Sequence, residues 1–122
     1  MKKLPDAEFE IMKAMWDAEE SMTAGQVMSR LKGSKEWKIQ TLISLLNRLV
    51  ERGFLRTEKR GNERFFMPVI QRDAYLRFET GRFFEQYHGG SYMSLLNTLQ
   101  GKKLNDREVA ELSKWLESLR FR

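Results

Sequence analysis

Apolar residues recur every three or four positions through most of the chain, and each such stretch predicts one helix. Phe9, Ile11, Met12, Met15 and Trp16 define the first, from about Pro5 to Asp17. Leu4-Pro5-Asp6-Ala7-Glu8 opens it, with proline near the first helical position and acids where the helix dipole favours them. After a connector of Glu19, Glu20 and Ser21, Thr23 is placed to cap a second, short helix. Val27, Met28 and Leu31 form its stripe, and Lys32-Gly33-Ser34 ends it.

The third helix, about Glu36 to Arg52, has the sharpest pattern. With Lys38 set at zero and 100° per residue, Ile39, Leu42, Ile43, Leu45, Leu46, Leu49 and Val50 fall between about −20° and 140°. Gln40, Thr41, Ser44, Asn47, Arg48, Glu51 and Arg52 fall between about 180° and 320°. The two sets do not interleave, so one face is core. The other is a ridge of short polar side chains with Arg48, unlike the long Glu and Lys side chains of a merely solvated helix surface.

Gly53 stops this helix. Phe54 to Arg60, the turn Gly61-Asn62-Glu63, and Arg64 to Val69 then read as a β-hairpin with apolar residues at its base and charges near its tip. Beyond Pro68 the aromatics Tyr75, Phe78, Phe83, Phe84 and Tyr87 mark a helix from Gln71 to Tyr87, broken by His88-Gly89-Gly90. A short helix follows, about Tyr92 to Leu99, with Met93, Leu95, Leu96 and Leu99. Asn105 and Glu108 have capping-box spacing for a last helix whose stripe is Val109, Leu112, Trp115, Leu116 and Leu119.

Three helices followed by a charged hairpin is the winged helix-turn-helix plan. The predicted fold class is therefore mainly α with a small β-hairpin wing: a winged helix-turn-helix DNA-binding domain over residues 1–70 and a helical dimerisation region over 71–122. Three amphipathic helices in the second region cannot bury themselves well alone, which points to a homodimer. The dimerisation candidates are Tyr75, Phe78, Phe83, Phe84, Tyr87, Leu95, Leu96, Leu99, Leu112, Trp115, Leu116 and Leu119. The alternative is that these helices fold back on the first domain as one monomeric globule.

Composition narrows the function. With 122 residues, no cysteine and one histidine, thiol catalysis, zinc fingers and a histidine-based metal site lack material, no cofactor is implied and an enzyme is disfavoured. His88 reads as a helix C-terminal residue favoured by the dipole, and the seven methionines read as core filler. No run approaches the ~20 apolar residues of a membrane span, so membrane insertion is not expected and a cytoplasmic location is. The net charge of +5 is concentrated: residues 30–64 hold ten basic and four acidic side chains, +6, and the remainder nets −1. A polyanion should meet the middle of the chain, unless the patch is only a solvated face.

Double-stranded DNA is the partner this combination favours. Gln40, Thr41, Ser44, Asn47 and Arg48 are the candidate base readers, with Arg48 suited to guanine or, equally, to a phosphate. Lys35, Lys38, Arg56, Lys59, Arg60 and Arg64 are the candidate backbone or wing contacts, some of which should instead pair with Glu58 and Glu63. Ile43, at the edge of the apolar arc, is either core or a contact to a thymine methyl. A regulator released by a small-molecule ligand and a winged-helix protein-interaction module are the competing readings.

Trp37, Thr41, Leu42, the run Ser44 to Gly53, and the hairpin ending Phe66-Met67-Pro68 resemble the penicillinase-repressor family. Leu4 to Met12, Met15-Trp16, Gly89-Gly90 and Leu104 to Glu108 fit it as well. The resemblance implies a homodimeric repressor on a palindromic operator. In the antibiotic-resistance members, a membrane sensor protease triggers cleavage in the dimerisation region, and matching places the corresponding bond near Asn97-Thr98. Those members carry an aromatic residue where this chain has Thr98, and a basic residue where it has Ile43, so the operator sequence is expected to differ. Copper-responsive relatives use C-terminal cysteine motifs, which are absent here.

Overall fold

In a computed structural model, residues 1–31, 37–99 and 103–120 are described. The elements are α1 (Asp6–Ala18), β1 (Met22–Thr23), α2 (Ala24–Leu31), α3 (Ile39–Glu51), β2 (Leu55–Arg60), β3 (Glu63–Pro68), α4 (Arg72–His88), α5 (Tyr92–Thr98) and α6 (Asp106–Arg120). They form two compact units, Met1–Gly81 and Arg82–Arg122.

The first unit is a three-helix bundle closed by an antiparallel sheet of order β1-β3-β2. The face of α1 made by Ile11, Met12, Met15 and Trp16 packs with Val27 and Leu31 of α2 and with Leu42, Leu46 and Leu49 of α3. Phe54, Leu55 and Phe66 bring the hairpin base into the same core. Two-residue β1 escapes the sequence pattern because it is too short to show an alternation, yet Met22 and Thr23 pair with Phe66 and Phe65. Thr23 also caps α2: its hydroxyl accepts from the Gln26 amide at 3.2 Å, while the Gln26 side chain accepts from the Thr23 amide at 2.9 Å.

Two glycines shape the end of α3 and the tip of the wing. Gly53 takes φ 81°, donating to Val50 O while Phe54 N reaches back to Leu49 O, which closes α3 in a Schellman turn. Gly61 takes φ 63° as the first residue of a two-residue turn, Gly61-Asn62. Glu63, expected in that turn, is instead the first residue of β3 and faces Arg60.

The first unit extends past the expected boundary at residue 70 because Tyr75 belongs to its core. Tyr75 is 3% exposed, its hydroxyl accepts from the Leu4 amide at 2.8 Å, and its ring lies 5.7–6.3 Å from those of Phe9, Trp16, Phe54 and Phe78. Tyr75 is thereby removed from the dimerisation set, whereas Phe78, packed against the same core, is only half-buried and stays in it. A side chain already enclosed by its own chain has no surface left to offer a partner.

Arg72, at the start of α4, donates to Asp17 of α1 and lies over the Trp16 ring. This guanidinium holds the Asp17 carboxyl below its ordinary value of 3.8. The lowered folded value means that the stabilisation is present above about pH 4 and lost as the pH falls through it. Asp17→Asn is accordingly expected to flatten the acid limb of stability, read as urea midpoints between about pH 5 and pH 2. An unchanged limb would refute the pairing.

In the second unit, α4 ends at His88, whose Nδ1 lies 2.9 Å from Ser94 Oγ. Phe84 meets Tyr92 at 4.9 Å, and Phe83 meets Tyr87 at 4.9 Å. The Asn105–Glu108 capping box is formed in both directions, at 2.8 and 3.1 Å, and starts α6.

Candidate nucleic-acid interface

The register of α3 is fixed by burial. Leu42, Leu46 and Leu49 are fully enclosed, so the opposite side of the helix must face outward. Gln40, Thr41, Ser44, Asn47 and Arg48 are all exposed there, as the helical arithmetic expects. Lys38 precedes the helix in extended conformation, exposed at its start. Lys35 lies outside the described residues. The ridge is short-chained, which lets a backbone-sized rod approach a groove floor, and it carries both donors and acceptors.

The hairpin sorts its cations by face. Alternate residues of a strand point to opposite sides, and the pairing Arg56↔Met67, Thr57↔Phe66, Glu58↔Phe65, Lys59↔Arg64 and Arg60↔Glu63 assigns each. Thr57, Lys59, Arg64 and the buried Phe66 share one face. Arg56, Glu58, Arg60, Glu63 and Phe65 share the other. Lys59 directly opposes Arg64, a like-charge pair that costs stability unless an anion lies against it. Arg64 is held in place by a 3.3 Å bond to Thr57 Oγ1.

Arg60 is one of the wing cations that pair with an acid, as expected for some of them. Its guanidinium is 3.1 Å from Glu58 Oε1, bonds Ser21 Oγ at 3.2 Å, and stands 4.7 Å over the Phe65 ring. It braces the wing against the connector after α1, and its charge is already partnered. Arg56 lies on that same acid-bearing face. Lys59 and Arg64 are therefore the wing cations best placed to meet phosphate.

A groove of about 560 Å³ runs between α3 and the wing, lined by Ile39, Ile43 and Asn47 of α3, Thr23 of β1, Ala24 and Gly25 at the start of α2, and Glu63, Arg64 and Phe66 of β3. Ile39 was expected in the core from its phase, but it is 41% exposed on this wall. Ile43 lines the same wall, half-buried.

Arg52, the C-cap of α3, is exposed as its phase on the polar side predicts, and its Nη1 reaches 2.8 Å to the buried Glu8 Oε2. Glu8 is 0% exposed, and its Oε1 has no hydrogen-bond partner among the described residues. The signal was present in the sequence: Glu8 lies in phase with Met12 and Met15, and an acid in an apolar stripe needs a cation from elsewhere.

Of the remaining dimerisation candidates, Phe83, Tyr87, Leu96, Leu99, Leu112, Trp115, Leu116 and Leu119 are exposed. Phe84 and Leu95 are half-buried within the second unit. Asn97 and Thr98 are exposed in the last turn of α5.

A family model described as penicillinase repressor matches residues 4–118. The penicillinase repressor of Bacillus licheniformis is 31% identical over 121 residues, covering 96% of this chain and 94% of that protein. The chain belongs to the penicillinase repressor family. A further relative within reach is the methicillin resistance regulatory protein MecI of Staphylococcus aureus, 25% identical over 112 residues, with 90% of this chain and 89% of that one covered. Among solved structures, the DNA-binding domain of the repressor BlaI aligns with TM-score 0.52 at 32% identity, over 62% of this chain and 94% of that domain. The monomeric form of Bacillus licheniformis BlaI in complex with the blaP half-operator aligns with TM-score 0.51 at 28% identity, over 61% of this chain and 89% of that one. Family membership thus confirms the winged-helix fold in the part of the chain that holds the ridge and the wing. No helix among the described residues is long and apolar enough to cross a membrane.

Proposed function

We propose that this chain is a sequence-specific, DNA-binding transcriptional repressor that acts as a homodimer on a palindromic operator. The observation that carries the reading is the exposed ridge Gln40, Thr41, Ser44, Asn47 and Arg48, flanked by Lys38, Lys59 and Arg64. The similar BlaI structure on a half-operator supports it, since a half-operator is the share of one subunit in a two-fold site. Thr41, Ser44, Asn47 and Gln40 read base edges in the major groove, and the wing cations hold the adjoining backbone. The helices beyond residue 70, less Tyr75, hold the dimer.

On this reading the operator is released by cleavage in the C-terminal region that a membrane sensor protease triggers, with Asn97-Thr98, in α5, as the candidate bond. A cut there separates α6 from the DNA-binding unit.

Gel retardation at low ionic strength tests the reading. With about four phosphates neutralised per subunit, the dimer is expected to show a log-log salt slope of roughly −7. A duplex pool from which nothing is retarded, or a slope near zero, would overturn it. Arg48→Ala then assigns Arg48: a base reader loses discrimination at one position, at a cost of about 1–3 kcal/mol, whereas a phosphate contact weakens every sequence alike and lowers the salt slope.

A further inference from the structure

The apolar arc of α3 is wider than its core requires. Leu42, Leu46 and Leu49 fill the interior, while Ile39, four residues before Ile43, remains 41% exposed. Both isoleucines line the groove that faces Arg64 and Phe66 of the wing. On the helical wheel Ile43 lies only about 40° from Asn47, the first residue of the polar ridge. The reading surface therefore has an apolar shoulder on its wing side.

We infer that Ile39 and Ile43 are specificity residues that select thymine by packing against its C5 methyl group. The inference rests on the DNA-binding reading and names which base that surface prefers. Among the groups that base pairs present in the major groove, the thymine methyl is the apolar one; the other positions present hydrogen-bond donors or acceptors. Two branched aliphatic side chains gain nothing against a guanine or cytosine edge and strip water from it without replacing its hydrogen bonds. Arg64 lines the groove beside Glu63, and Lys59, opposed to Arg64 across the hairpin, adds the second cation that leaves this edge of the wing net positive and draws a phosphate backbone to it. A protein partner seated there would have to cover this like-charge pair as well, which a polyanion does at no extra cost.

The groove's opposite wall at Ala24 and Gly25 is nearly without side chains, leaving room for a base edge beside the isoleucines. Asn47, next along α3, can bond the adenine paired to that thymine or its neighbour.

The test uses duplexes enriched by the full chain from a random pool, with each thymine replaced singly by deoxyuridine, which lacks only the methyl. One or two positions per half-site are expected to lose about fourfold in affinity, the value of one buried carbon. Ile39→Ala/Ile43→Ala should bind the thymine and deoxyuridine duplexes equally, and Ile43→Val should restore part of the difference. Circular dichroism and an unchanged urea midpoint show that the variant is folded. Equal binding of every thymine and deoxyuridine pair by the unsubstituted protein, or a preference that survives in the double variant, overturns the inference while leaving DNA binding intact. Failure to enrich any duplex at all is the separate result that removes the DNA-binding reading, and this inference with it.

Discussion

Replacing Arg52 with alanine is expected to lower the unfolding free energy by about 3 kcal/mol, the lower end for a buried pair broken on one side. The cost arises at Glu8. That carboxylate, in the first turn of α1, is 0% exposed, accepts from Arg52 Nη1 at 2.8 Å, and would be left charged and buried with its cation gone. Arg52 itself keeps 38% of its side chain in solvent, so its own desolvation is modest and the lower end of the range applies. For a domain of this size the melting temperature should fall on the order of 10–20 °C, and the urea midpoint should drop with an unchanged slope. Glu8→Gln removes the charge that needs Arg52, and in that background Arg52→Ala should cost much less; the double-mutant cycle measures the coupling. The same variant decides what Arg52 is for. If it keeps its midpoint and loses operator affinity, the residue works on DNA and the structural assignment is wrong.

Arg52 also shows where sequence reading stops. Periodicity located the ridge on α3 because a 3.6-residue repeat separates two faces without knowledge of the neighbours. It puts Arg52 on the outer face correctly by the same arithmetic, but nothing local shows that the guanidinium at the end of α3 meets a buried acid forty-four residues earlier. The hairpin was legible as a hairpin, but its cations could not be sorted. Moving Glu63 out of the turn and into β3 changes the strand pairing by one residue, and a one-residue change exchanges the two faces of a strand. Only the two-residue turn puts Lys59 opposite Arg64 and Arg60 opposite Glu63. Tyr75 was misplaced for a related reason. It stands in an aromatic run whose later members, Phe83 and Tyr87, are exposed, and the bond from the Leu4 amide spans seventy-one residues. Ile39 and Ile43 had the correct phase for burial, but three leucines already occupy the space beneath α3.

Aspartate at both Leu112 and Leu116 is expected to leave a folded monomer whose affinity for a full palindrome falls by about a hundredfold or more. Val109, Leu112, Trp115, Leu116 and Leu119 form one stripe on α6 and are 38–50% exposed. A fifteen-residue helix is marginal in water without a packing partner, and here the stripe has no buried member to supply one. In the proposed homodimer a second copy of the chain would cover it by the two-fold rule that joins like patches, each apolar side chain contributing at about 25 cal/mol per Å² removed from water. Two buried carboxylates at the centre of such a seam reverse that gain. The winged unit keeps its own core, from Leu4 to Tyr75, so affinity for a single half-site should be unchanged. Sedimentation velocity together with binding to full and half operators separates the two effects: a variant that stays dimeric, or a monomer that binds the palindrome as well as before, would exclude α6 as the seam. The same arithmetic explains why one cut at Asn97-Thr98 would suffice for release. It leaves every proposed DNA-contact residue in place and cuts away α6, whose stripe is the part of the proposed dimer region that the aspartates test.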